Sequence, residues 1–208
     1  MKTLHTLCAL LLTTLVFGQG KYEQGMQKAF DYWQQNLPLE ASALFERIAL
    51  AEQDNWLPPY YAANTLIVAA FTTEDASQTN EMLEKAKSFI ATAQERSPDN
   101  AEVITMEGLL YTGYVAMAPE TYGMKYSPKI MALHGKALEL DPTNPRAQLN
   151  SIEYEIGSAR FFGTDLKTFC DRLEAVRPAF DKVKSDVPFY PKYGAERIDE
   201  IKQQCGCE

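Results

Sequence analysis

Evenly spaced chain breakers constrain this sequence more than any other feature. They fall at Asn55 to Pro59, Ser97 to Asn100, Asp141 to Pro145 and Asp186 to Pro191. Asn55, Asn100 and Asn144 are 45 and 44 residues apart, and Pro188 lies 44 beyond Asn144. Leu37-Pro38 divides the first interval. Between breakers, apolar residues recur at three- and four-residue spacing, the period of a helix face, and strand-like alternation is rare. A repeat of this length, split by a central turn, means stacked helix pairs. The spacing predicts an all-α chain with units at 22–55, 56–100, 101–144 and 145–187. A final amphipathic helix is expected within 188–204, covering the last apolar face, since a stack of repeats needs an end cap.

Tyr22 to Asn55 has the length of one 34-residue unit. Within it, Ala29 and Tyr32 fall at small and aromatic positions of a first helix. Ala41, Phe45 and Ile48 fall at packing positions of a second. Later units offer Ala86, Ile90, Ala93 and Pro98, then Gly108, Tyr111, Ile130, His134, Ala137 and Pro142. On these residues the chain, over about 22–185, resembles the tetratricopeptide (TPR) family. Its fold would then be a right-handed α-solenoid of TPR-like helix pairs with a C-terminal capping helix. The fourth unit departs, with Ser151, Ile152 and Glu155 where small and aromatic residues are expected. Units two to four also exceed the family length, near 71–80, 117–127 and 159–165. Insertions at equivalent points map to one edge of a solenoid, often a binding edge; the alternative is longer helices with capped loops. Trp56 to Ala63, with Tyr122-Gly123 and Phe162-Gly163, makes the chain similar to exported TPR-like proteins of Gram-negative bacteria.

Residues 1–20 read as a signal peptide: Lys2 is followed by an apolar run from Leu7 to Phe17, with small residues before a cleavage point near Gly18 to Gly20. That run is too short to span a bilayer, which takes about 20 apolar residues. Cys8 lies inside the run rather than after it, which excludes lipidation. Residues 21–208 form the expected mature domain, with no transmembrane anchor. Export is expected, to the periplasm or the medium. The formal charge of −8 over 208 residues, with no basic run, speaks against a nucleic-acid partner.

The expected mature chain keeps Cys170, Cys205 and Cys207. An exported chain can hold disulfides. If a helix from about Thr164 to Lys184 turns near Pro188 and returns antiparallel, position 205 lands opposite 171. A Cys170–Cys205 bridge is therefore expected, with Cys207 as the alternative partner. Cys205-Gly206-Cys207 as a metal or redox site is the rival, but it lacks the further ligands of a closed zinc site.

No catalytic constellation is evident. There is no HExxH, GxSxG, GxxxxGK[ST] or GxGxxG. His134 is the single histidine expected after cleavage, and it sits at a packing position. Asp75 to Glu81 alternates oxygen ligands but lacks the glycine and length of a calcium loop, and a helix cap is the simpler role. An enzyme is not expected, and no cofactor or bound metal is.

In the TPR family the first helix of each pair lines a concave groove. The resemblance places groove residues at Met26, Phe30, Trp33, Tyr60, Asn64, Thr105, Leu109, Arg146 and Glu153. Tyr111, Tyr114, Tyr122 and Tyr126 would extend the lining. The carboxylate-gripping positions of some TPR domains are Met26, Phe30, Tyr61, Glu102 and Met106 here, none of them cationic. The expected function is a non-catalytic scaffold or adaptor binding another envelope protein or a peptide through that groove. The alternative is a small-ligand or metal-binding envelope protein using the aromatic groove or the terminal Cys-x-Cys.

Overall fold

The computed structural model describes residues 20–207, so the expected signal peptide lies outside them except for Gly20. The described chain is all-α. The helices are α1 (20–34), α2 (Pro38–Ala51), α3 (Leu57–Thr72), α4 (Ala76–Arg96), α5 (Ala101–Met117), α6 (Pro119–Leu140), α7 (Pro145–Phe162), α8 (Cys170–Asp181) and α9 (Arg197–Cys205), with a 3-10 turn at Leu166–Phe169.

The periodic asparagines start helices. Asn100 Oδ1 accepts from Glu102 N, Asn144 Oδ1 from Arg146 N and Ala147 N, and Asn55 Oδ1 from Leu57 N. Each satisfies amides that the first turn leaves without a partner. Prolines open α2, α3, α6 and α7, where a missing N–H costs nothing.

α5 lies between α3 and α7 and contacts both. α4 packs on α3 and α5, and α6 on α5 and α7. Phe30 of α1 meets Tyr61 of α3 and Phe45 of α2, which adds α1 to the same layer. α3 and α5 are buried on nearly every side, so neither reads as amphipathic. The main core holds Met26, Phe45, Tyr60, Leu83, Leu110 and Ile130. A second core joins Leu149, Leu173, Ile198 and Ile201 of α7, α8 and α9. Gly108 marks a close approach, because a Cβ there would lie 2.8 Å from Cε1 of His134 on α6.

Of the two readings of the extra residues, longer helices with capped loops holds in units two and three, while unit four keeps a short non-helical link at 163–165. Residues 73–75 alone separate α3 from α4, and Ala118 alone separates α5 from α6. Asp75 is the cap between α3 and α4, its Oδ1 accepting from Ser77 N and Gln78 N. The final helix is shorter than expected. It begins at Arg197, and residues 182–196 form a strap with no regular helix.

The disulfide joins Cys170 to Cys207, not to Cys205. The long strap moves the antiparallel register, so Cys205 turns into the α7–α8–α9 core as a buried free thiol. Gly206, with φ 71°, then swings the chain back so that Cys207 reaches Cys170, with Cα atoms 5.7 Å apart. That left-handed turn is inexpensive only for glycine.

Candidate functional site

The layer made by α1, α3, α5 and α7 has a free face, turned away from α4 and α6. The strap crosses it. Tyr193 sits at the centre, its phenol oxygen 2.5 Å from that of Tyr60 and accepting from Asn64 Nδ2 at 2.8 Å. Tyr61 Oη donates to Phe189 O at 2.8 Å. The Phe189 ring stacks on Phe30 and meets Tyr22 edge-on. Phe189 holds φ 62°, a left-handed conformation rare and strained for a bulky residue, so side-chain contacts impose it. Gly194, at φ 117°, lies against the Phe180 ring, where no side chain would fit.

Beneath the strap lies a buried charge pair. Arg146 donates from Nε to Glu102 Oε2 at 2.7 Å and from Nη2 to Oε1 at 2.5 Å. Asn144 Nδ2 adds a third donor to Oε1 at 2.7 Å. The Arg146 guanidinium stands 6.0 and 5.8 Å from the ring centroids of Tyr190 and Tyr193. Burial works against the Arg146 charge, but the Glu102 contact outweighs it and holds the pKa above its ordinary value. Burial pushes the Tyr60, Tyr61 and Tyr193 phenols up, and Tyr190 up to about 12, so all four stay protonated hydrogen-bonding groups at neutral pH.

The expected groove residues therefore gather on one face, but most are covered. Met26, Tyr60, Asn64, Thr105 and Arg146 are buried, and Phe30 is half-buried under Phe189. Glu153 pairs with Arg197 of α9. Trp33 and Leu109 remain half-exposed. Tyr111, Tyr114, Tyr122 and Tyr126 do not extend this lining. They pack on one another, Tyr114 donating to Glu84 of α4 and Tyr111 accepting from Lys129, on the opposite side of α5.

Past the strap the free face is open and apolar. Val68 and Phe71 follow Asn64 by four and seven residues, which keeps them on its side of α3. Leu109 and Ala116 follow Glu102 by seven and fourteen on α5, and Gly157 follows Arg146 by eleven on α7. Val68 is 41 % exposed, Phe71 44 % and Phe161 63 %. With packed helices about 8–10 Å apart, three side by side give an apolar floor about 20 Å wide. Exposed apolar surface gathered in this way marks a binding surface.

The chain superposes on the HusA haemophore from Porphyromonas gingivalis with a TM-score of 0.75 at 20 % sequence identity, over 88 % of this chain and 92 % of that one. The two share a fold. No family model matches the chain, and no curated protein does.

Among the described residues no group of three or more His, Cys, Asp or Glu side chains is placed to hold a metal ion. His134 is 3 % exposed with both ring nitrogens unpartnered, and burial drives its pKa down to about 4 against the opposing field of Glu155. Its ring lies against Gly108, behind α5 and away from the free face. No described helix is long and apolar enough to cross a membrane.

The covering segment escaped the sequence reading. Val187-Pro-Phe-Tyr-Pro-Lys-Tyr193 lacks helical periodicity and carries two prolines and three aromatic residues. That composition was the available signal for an ordered, non-helical strap.

Proposed function

We propose that the chain is an exported, non-catalytic carrier of a small, flat, apolar ligand of the haem type, held on the open half of the free face. The observation that carries this is the apolar floor of exposed Val68, Phe71 and Ala116 and half-exposed Leu109 beside a filled half. The shared fold with a haemophore supports haem as the first ligand to try. The helices are taken as a right-handed TPR-like solenoid whose concave side is the free face, as the sequence resemblance implies. The strap occupies the part of that face a peptide partner would need, which favours a small ligand over the adaptor role.

The test is titration of haem into the chain beginning at Lys21, followed by absorbance. Saturable binding is expected, weakened at least ten-fold by Val68→Glu combined with Phe71→Glu, because a charge would then have to be desolvated against an apolar ring. Both positions are exposed, so the fold should survive and circular dichroism should be unchanged. Absence of saturable binding, or equal binding by the double variant, overturns the proposal.

A further inference from the structure

Charge is scarce around the open floor. The turns that flank it, 65–72 of α3, 106–117 of α5 and 154–162 of α7, contain Glu107, Glu155 and Arg160 as their charged residues. Glu107 pairs with Lys129 of α6, and Glu155 with Arg172 of α8, so both are engaged away from the floor. Arg160 is exposed and has no carboxylate partner among the described residues. It follows Arg146 and Glu153 at seven-residue intervals, placing the three on one side of α7. Arg146 is neutralised by Glu102 and Glu153 by Arg197. Among the described residues Arg160 is the one of the three with no charge partner, and it lies beside Gly157 and the exposed Phe161 in a chain of strongly acidic balance.

We infer that Arg160 is a specificity-determining residue of the carrier site, an anchor for a carboxylate borne by the ligand. This rests on the carrier function proposed above and narrows the ligand class to flat apolar rings with an acidic substituent at one edge. Apolar contact with the floor holds the ring but cannot orient it. A guanidinium at the α7 edge presents forked donors that match carboxylate geometry and fix which edge of the ring faces α9. The competing role for Arg160 is favourable placement in the last turn of α7, where a cation meets the negative helix end. That role involves no ligand carboxylate.

The test crosses two ligands with three proteins. Haem and its dimethyl ester, which has the same ring without free carboxylates, are titrated into wild type, Arg160→Ala and Arg160→Lys. Wild type should bind the free acid about ten-fold more tightly than the ester, in line with a charge-assisted hydrogen bond near a surface. Arg160→Ala should bring that ratio close to one by weakening the acid alone, and Arg160→Lys should restore part of it. Raising the salt should weaken acid binding to wild type and leave the alanine variant unaffected. A ratio unchanged by Arg160→Ala, with both ligands still bound, overturns the anchor and leaves the carrier function standing. Failure of wild type to bind either ligand overturns both.

Discussion

The phenol oxygens of Tyr60 and Tyr193 meet at 2.5 Å across 133 residues of sequence. This contact, with the Asn64 amide on the same oxygen, fastens the strap over the free face and determines how much of it a ligand can reach. Tyr193→Phe deletes that oxygen and leaves the buried Asn64 amide without an acceptor. Unfolding in urea should show a loss of about 1–3 kcal/mol. Amides in 187–194 should exchange with solvent faster than those of α3. Unaltered strap exchange would mean that the aromatic packing of Phe189 suffices to hold it.

Glu102 and Arg146 should behave as one unit. Removing either leaves the other buried and charged, at a cost of about 3–5 kcal/mol. Glu102→Gln combined with Arg146→Met should cost clearly less than the sum of the two single changes. Additive losses in denaturant titrations would show that the two residues act independently.

His134 should make stability depend on pH. Its pKa is about 4 in the folded chain against an ordinary 6.5, so between those values the unfolded chain binds more protons. Stability is then full above pH 6.5 and falls as the pH drops toward 4, by about 2 kcal/mol between 6.5 and 5. His134→Leu should flatten that part of the profile and cost little at pH 7, because neither ring nitrogen has a partner to lose. Thermal melts from pH 7 to 5 check this, and parallel profiles for the two proteins would count against it.

The two terminal cysteines should differ in their effect. Cys207→Ser opens a bridge between residues 37 apart and should cost about 4 kcal/mol in the chain-entropy picture. Cys205→Ser leaves the bridge intact and costs only the burial of a hydroxyl among Leu173, Ile198 and Ile201. Peptide mapping of the oxidised chain should recover the Cys170–Cys207 pair in that variant. Recovery of a Cys170–Cys205 pair from wild type would reverse the assignment.

Much of the molecule was legible from local signals. Asn100 and Asn144 cap helices, and prolines start them, through contacts within a few residues, so the breakers gave the helix pairs their period. The three- and four-residue spacing of apolar side chains marked the buried face of amphipathic helices such as α4, because burial is repeated every turn, but it marked no face of α3 or α5, which are apolar nearly all round. The family resemblance set Tyr60, Asn64 and Arg146 on one groove, and in the fold all three lie against Tyr193.

What sequence could not decide was what covers that face. Tyr193 finds Tyr60, Tyr61 finds the carbonyl of Phe189, and Arg146 finds Glu102, over separations of 133, 128 and 44 residues. No periodicity relates the first two pairs; Glu102 and Arg146 do share a repeat position, two residues after Asn100 and Asn144, but only the packed arrangement makes them partners. The bridge was misplaced for the same reason, since the path of residues 182–196 moves the register of α9 against α8. By itself the sequence determined an all-α chain of regularly capped helix pairs, through interactions that span a few turns. The tertiary structure alone decided that an irregular strap fills one half of the free face and leaves the other half apolar and open, because that outcome depends on long-range complementarity between side chains.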